Sequence, residues 1–244
     1  MNGVLQGKKW TVEELPYSGF RTKGSTARTI HGIGCQSGLL APSVAIIGAR
    51  NATPYGKRAA FLVAGWAADL GYTVVSGGAR GCDQAAHRGA LAKGGKTVAV
   101  MGCGADVIYP SKSGKLFQEI IDNGGAIVSE FDWSTPPMKY RFNSRNKTIA
   151  EMVDLVVVVE ARLPSGSLST VGHAVNVGTP IAAVPGSILC IESEAPNRLI
   201  SEGASIIASS DDLALALGIT PRPLTVREVM EGVEKEVEAA KAVA

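Results

Sequence analysis

Seven times between residues 43 and 217 the sequence presents a short, predominantly apolar run that ends on glycine, an acid or serine. The runs are VAIIG (44–48), TVVSGG (73–78), TVAVMG (97–102), AIVSE (126–130), DLVVVVE (154–160), PIAAVPG (180–186) and SIIAS (205–209). Between most of them lie stretches compatible with helices, at 54–70, 83–92, 113–122, 168–177, 197–202 and 211–217. Strands without polar alternation are buried on both faces, and the intervening helices supply the covers. The predicted fold class is therefore α/β, an extended Rossmann-like, doubly wound and mostly parallel sheet forming a single main domain over 43–217.

The flanks read differently. Residues 1–42 are polar and without clear periodicity, and are expected to form an N-terminal extension or a partner-covering arm. Residues 218–244 carry Glu, Lys and Arg with Val and Ala at helical spacing, a C-terminal helical tail that either docks on the body or a second copy, or stands solvated. The start has no apolar signal core, and no window holds the roughly 18 apolar residues of a membrane span, so a cytoplasmic protein without membrane contact is expected. Lys and Arg number 24 against 22 Asp and Glu, a formal +2. Any nucleic-acid partner must then be held by a local basic cluster, not by bulk charge. Cys35, Cys82, Cys103 and Cys190 show no C-x-x-C pair, and His31, His87 and His173 are scattered. Neither a metal site nor a disulfide framework is indicated, and no cofactor is expected.

In an open parallel sheet, ligands bind outside the carboxyl ends of the strands, which directs attention to the residues after each run. The chain has 29 glycines in 244 residues, well above the roughly 7% of average proteins, and many stand at these strand ends. After the first run, Gly48 permits close approach and Arg50 points at whatever fills the crevice. After the second, Ser76, Gly77, Arg80 and Gly81 belong to a glycine-rich loop ahead of a helix, an arrangement that aims backbone N–H groups at an anion or simply makes a tight turn. Neither GxxxxGK[ST] nor GxGxxG is present at the first strand. After the fifth, Gly166 and Ser167 lie in a hydroxyl-rich turn that opens a helix, suited to N-capping and to phosphate alike.

The segment 131–147 is denser in signal. Phe131, Trp133, Tyr140 and Phe142 fall within 12 residues, and Lys139, Arg141, Arg145 and Lys147 follow Asp132 with no further acid before Glu151. Cations interleaved with aromatics suit a single-stranded nucleic acid, whose phosphates want positive charge and whose unpaired bases want stacking partners. No catalytic constellation is legible: GxSxG and HExxH are absent. Asp83 is expected to cap its helix, and Glu130 and Glu160 to orient arginines.

Taken together, GARNATPYG (48–56), SGGARGCDQAAHRGAL (76–91), AVMGCGADVIYP (99–110), RFNSRNKTIA (141–150), VVVEARLPSGSLST (157–170), VPGSI (184–188) and NRLISEGA (197–204) resemble the DNA-processing protein A (DprA/Smf) family, in the family's order over about 170 residues. The resemblance implies a non-enzymatic protein that binds single-stranded DNA without sequence preference, forms a homodimer, and loads a RecA-type recombinase during DNA uptake in natural transformation. It places the DNA pocket on Arg50, Ser76, Gly77, Arg80, Gly81, Phe142, Arg145, Asn146, Gly166 and Ser167, while Lys139 and Arg141 enter on their charge, since the family varies there.

Three departures accompany the resemblance. No helical N-terminal domain is expected ahead of the fold, no winged-helix domain fits after residue 217, and Ala195-Pro196-Asn197 stands where relatives usually have Gly-Thr-Asn. The alternative is a nucleotide-binding or nucleotide-hydrolysing Rossmann-like protein related to the Lonely Guy phosphoribohydrolases. Those enzymes carry PGGxGTxxE, whereas this chain has SGSLST without the glutamate.

Overall fold

The computed structural model describes residues 4–12, 29–40 and 42–220. In chain order the elements are β1 (Lys9–Val12), β2 (Ile30–Gly34), α1 (Ser37–Leu40), β3 (Ser43–Ile47), α2 (Pro54–Asp69), β4 (Thr73–Ser76), α3 (Cys82–Ala92), β5 (Thr97–Val100), α4 (Gly114–Asp122), β6 (Ala126–Ser129), α5 (Lys139–Glu151), β7 (Leu155–Val158), α6 (Ser167–Val177), β8 (Ile181–Ala183), α7 (Glu194–Ser201), β9 (Ser205–Ile206) and α8 (Ser210–Ala216).

The strands form one sheet in the order β1-β2-β6-β5-β4-β3-β7-β8-β9. From β6 through β9 every neighbouring pair is parallel. The chain builds outward from β3 in one direction through β4, β5 and β6, then returns to β7 on the other side of β3. That reversal makes the carboxyl ends of β3 and β7 the switch point, where a crevice opens for topological reasons.

Burial explains the unbroken apolar runs. Ala45, Ile47, Val156 and Val158 enter a core with Ile149, Ala150, Val171 and Ala174 of α5 and α6. Their neighbours Val44, Ile46, Leu155 and Val157 enter a second core with Ala60, Val63, Ala64, Ala86 and Leu213 of α2, α3 and α8. Side chains alternate between faces, yet both faces are covered, so the runs 44–47 and 155–158 are unbrokenly apolar. A third cluster gathers Leu116, Phe117 and Ile120 of α4 under β5 and β6.

The segment before Ser43 departs from the expectation of an irregular arm. β1 pairs antiparallel with β2, and β2 pairs antiparallel with β6, which extends the sheet by two strands. The Trp10 indole lies directly on Gly32, where any Cβ would fall inside the ring, and its Nε1 donates to the Gly34 carbonyl at 3.0 Å. The glycines that suppress strand propensity in IHGIG are what admit the tryptophan. At the other edge, β9 is only the exposed pair Ser205–Ile206, shorter than the run SIIAS suggests. Residues 221–244, expected as a helical tail, lie outside the described residues.

Candidate functional site

A cleft of about 950 Å³ opens at the switch point. Its walls come from the β3–α2 loop (Gly48, Arg50), the face of α5 (Lys139, Phe142, Arg145, Asn146) and the β7–α6 turn (Gly166, Ser167). Eight of the candidate residues, separated by as much as 119 positions in the sequence, thus line one cavity.

The open side is cationic and aromatic. Arg50 is exposed, and among the described residues no carboxylate or carbonyl holds its guanidinium; the same is true of Lys139. The Arg50 guanidinium carbon lies 5.4 Å from the centroid of the Phe142 ring, a cation–π distance. Phe142 rests against the backbone of Gly102 at the end of β5, where a Cβ would meet the ring. The Tyr109 ring is 5.5 Å away and tilted by 37°. Two unopposed cations and two adjacent aromatic rings therefore face the same space.

Beneath them Arg145 plays a different part from the one its charge suggested. It is only 5% exposed and its guanidinium is occupied by protein: it donates to the carbonyls of Gly77 and of Val100, the latter at 2.7 Å, and from Nε to Asn146 Oδ1 at 3.1 Å. Burial lowers its pKa, and the nearby Asp83 carboxylate acts in the opposite sense. Asp83 is itself buried. Desolvation raises its pKa, with Arg145 and the amides of Ala79 and Gly77 pulling it back down. Arg145, bonded to Gly77 and Val100, fastens α5 to the ends of β4 and β5, and it and Asp83 form a buried pair of opposite charges that interact through space.

That pair corrects two expectations. Asp83 does not cap α3, whose N-cap residue is Gly81 without a side-chain cap. Its Oδ2 instead accepts from the amides of Gly77 (3.2 Å) and Ala79 (3.3 Å). The glycine-rich loop is thus an anion nest already filled by the protein's own carboxylate, and those two N–H groups are spent before any ligand arrives. Gly81 has a φ of +83° and packs against the Ala49 and Arg50 carbonyls, a steric seat that fixes the first loop. Ser76 is fully buried and donates to the Ile46 carbonyl at 2.7 Å, tying β4 to β3. Arg80 is exposed and unpaired among the described residues, on the rim beside Ala79 but outside the cleft lining. Arg141 also lies outside the lining.

The opposite wall is polar. Ser167 Oγ donates to the Gly48 carbonyl at 2.9 Å, clamping the β3 and β7 ends together. Asn146 Nδ2 donates to Ser169 Oγ at 2.6 Å and to the Gly166 carbonyl at 3.3 Å, joining α5 to α6. The N-cap of α6 is Gly166, again with no side-chain cap, and Ser165 Oγ is buried without a partner at this same wall. Farther out, Arg162 is paired to Glu192, and that hydrogen bond, with a second from Cys190, holds the glutamate carboxyl below the usual range.

Glu160 also differs from expectation. Glu160 is fully buried and accepts from Thr53 N (2.9 Å) and Thr53 Oγ1 (2.5 Å), so it sets the N-terminus of α2 instead of an arginine. Glu130 accepts from the hydroxyls of Ser144 and Thr148, the latter at 3.2 Å. The departure at Ala195-Pro196-Asn197 leaves Asn197 clamped on both backbone groups of Gly186 at 3.0 Å. Sequence reasoning overlooked Tyr109, Asn51, Asn143 and Arg162 as lining residues; Tyr109 sits inside the motif AVMGCGADVIYP, which was the available signal. Among the described residues no cluster of His, Cys, Asp and Glu is suited to hold a metal ion, and no helix is long and apolar enough to cross a membrane.

Fold and site together define an extended Rossmann-like protein whose switch-point cleft suits an anionic ligand with flat, stackable groups. The sequence model of the family "DNA recombination-mediator protein A" matches residues 21–218, and the chain belongs to that family. It is 41% identical over 173 residues to DNA processing protein DprA of Streptococcus pneumoniae, covering 70% of this chain and 60% of that protein. Protein Smf of Escherichia coli is 39% identical over 170 residues, covering 70% of this chain and 46% of Smf. The chain thus spans about half of the length of these curated relatives.

Two solved structures are similar. DNA processing protein A from Helicobacter pylori, studied for its single-stranded DNA binding mode, has a TM-score of 0.76 at 33% identity, over 86% of this chain and 96% of the other. DprA from Streptococcus pneumoniae has a TM-score of 0.77 at 35% identity, over 86% and 74%. A molybdenum cofactor binding protein from Rippkaea orientalis, at 18% identity and a TM-score of 0.51 over 73% of this chain and 96% of the other, shares the fold alone.

Proposed function

We propose that the switch-point cleft binds single-stranded DNA without sequence preference, and that the protein does so as a binding module and not as an enzyme. The observation that carries the reading is the pairing of Arg50 with Phe142 at the cleft mouth: a cation with no carboxylate partner among the described residues, set over a ring that is itself partly exposed. Phosphates pair with Arg50 and Lys139, bases stack on Phe142 and Tyr109, and the uncapped N-terminus of α6 offers N–H groups to a further phosphate. The acids in the lining do not oppose this, because Asp83 is matched by Arg145 and Glu192 by Arg162. The contacts assigned here go to phosphates and to the faces of bases, in keeping with tolerance of sequence.

Gly48, Gly166, Ser167 and Asn146 shape the cleft, while Ser76, Gly77, Gly81 and Arg145 support it from behind, and Arg80 extends its rim. The similarity to DNA processing protein A from Helicobacter pylori, whose described ligand is single-stranded DNA, supports the reading. With it we propose the family's DNA uptake and recombination context, a homodimer, a RecA-type recombinase as partner and a cytoplasmic setting. Fluorescence anisotropy of labelled single strand, duplex and mononucleotide at two salt concentrations tests this directly. A preference for the single strand that weakens with salt is expected. Equal or tighter binding of the mononucleotide would transfer the cleft to the nucleotide-binding alternative.

A further inference from the structure

Arg141 belongs to the basic segment yet lies outside the cleft, and its surroundings differ from those of the cations inside it. Its guanidinium carbon is 5.4 Å from the centroid of the Tyr140 ring and 5.4 Å from that of Phe131, and it donates to the Pro136 carbonyl. Tyr140 is 65% exposed, a large value for an aromatic ring braced by a cation. Both residues follow Lys139 directly, and Lys139 lines the cleft. α5 is therefore a ridge: Lys139, Phe142, Asn143 and Asn146, at helical spacing, face the cleft, while Ser144 faces a separate groove beyond it.

A polynucleotide longer than the cleft must cross its rim, and the rims are not equivalent. On the β7–β8 side Arg162 is spent on Glu192, and the exposed residues that follow β8, Ile188 and Leu189, bring no charge. The groove beyond α5 carries acids, Glu130 and Asp132, the latter 3.4 Å from His31 Nε2, and no Lys or Arg in its lining among the described residues. Farther along, Lys9 is already shared between Asp106 at 3.3 Å and the Trp133 ring at 4.7 Å. Arg80 marks another rim, with no aromatic ring paired to it among the described residues. Among the described residues of the rim, the first turn of α5 joins an exposed ring to a cation next to the cleft.

Resting on the reading of the cleft given above, we propose that a single strand leaving it runs over the first turn of α5, with a base stacked on the outer face of Tyr140 and a phosphate set against Arg141. Arg141 stands beside the tyrosine ring, which is 65% exposed and so accessible to the next base. Tyr140 thus acts only on DNA long enough to emerge.

The test compares oligothymidylates of about 5 and about 20 nucleotides, the shorter held within the cleft and the longer crossing the rim. Tyr140→Ala is expected to weaken the longer strand roughly fivefold or more and leave the shorter unchanged, since one stacked base is lost. Tyr140→Phe keeps the ring and is expected to bind as the parent does. Arg141→Gln is expected to reduce the slope of log affinity against log salt by about 0.7 for the longer strand only, the loss of one phosphate contact. An unchanged affinity of the longer strand for Tyr140→Ala, or an equal loss at both lengths, would overturn the proposal. Arg50→Ala, measured alongside, is expected to weaken both lengths; if it weakens neither, it is the cleft reading that has failed.

Discussion

Replacing Arg145 by methionine separates a residue that holds the site together from one that grips a ligand. The side chain is 5% exposed, so the substitution acts on the interior. Four things are lost together: a charged donor to the Gly77 carbonyl, another to the Val100 carbonyl, the Nε donor to Asn146 Oδ1, and the positive charge near Asp83. Hydrogen bonds from charged groups are worth about 1.5–3 kcal/mol each, and leaving one member of a buried pair unopposed costs about 3–5 kcal/mol. These contributions overlap, because Asp83 can escape the penalty by taking up a proton. We therefore expect a net loss of about 3–5 kcal/mol at neutral pH, a large part of the stability of a domain this size.

The pH dependence carries the diagnostic. Burial already raises the Asp83 pKa, and without Arg145 it rises further. A carboxyl whose folded pKa lies above its unfolded value favours the folded state at low pH, and that contribution is lost as pH rises through the folded pKa. The deficit of Arg145→Met relative to the parent should accordingly shrink as pH falls through the raised Asp83 pKa of the variant. Urea unfolding followed by tryptophan fluorescence at several pH values measures it, with Arg50→Ala as the exposed-arginine control expected to stay within about 0.5 kcal/mol of the parent. A stability loss below about 1 kcal/mol for Arg145→Met, or a deficit independent of pH, would refute the reasoning about the buried pair.

Two further outcomes follow from other buried groups. The Thr97 hydroxyl donates to the Val74 carbonyl and so accepts from His87 Nδ1, while His87 Nε2 is buried without a partner; burial, helped by Arg145, pushes this pKa down to about 3. The unfolded chain takes up the proton first as pH falls below about 6.5, so stability is full above that value and drains toward pH 3, by about 2 kcal/mol between pH 7 and pH 5; His87→Gln should lose that share of the slope, and equal slopes would contradict it. At Gly77 a Cβ would fall inside the Arg145 guanidinium, so Gly77→Ala should lower the urea midpoint by the equivalent of roughly 1–3 kcal/mol, as overpacking does, and an unchanged midpoint would mean that Arg145 is free to move.

How much of this was visible in the sequence depended on how local the cause was. β3 to β8 are legible because each is buried on both faces, which imprints an unbroken apolar run, and Arg50 and Gly166 are legible because the fold class places strand ends at a crevice. β1 and β2 are not, since they owe their place to Trp10 lying on Gly32, a contact between residues 22 apart that no local pattern encodes. α5 escaped for a related reason. It buries Arg145 and Thr148 beside Ile149 and Ala150, so its inward face is partly polar, satisfied by Gly77, Val100 and Glu130 from distant strands. Asp83 filling the loop of Gly77 and Ala79 is likewise a matter of geometry: the same glycines and acid would read identically were the nest open to a ligand.

The central claim is that an unpaired cation and an open ring at the mouth of the switch-point cleft hold an unpaired strand. The affinity of a labelled oligothymidylate of about 20 nucleotides for the parent, Arg50→Ala and Phe142→Ala at moderate salt tests it most directly. The account predicts losses of roughly fivefold or more for each, with the salt slope shallower for Arg50→Ala and unaltered for Phe142→Ala. Parental affinity in both variants, with their folding intact, would contradict it.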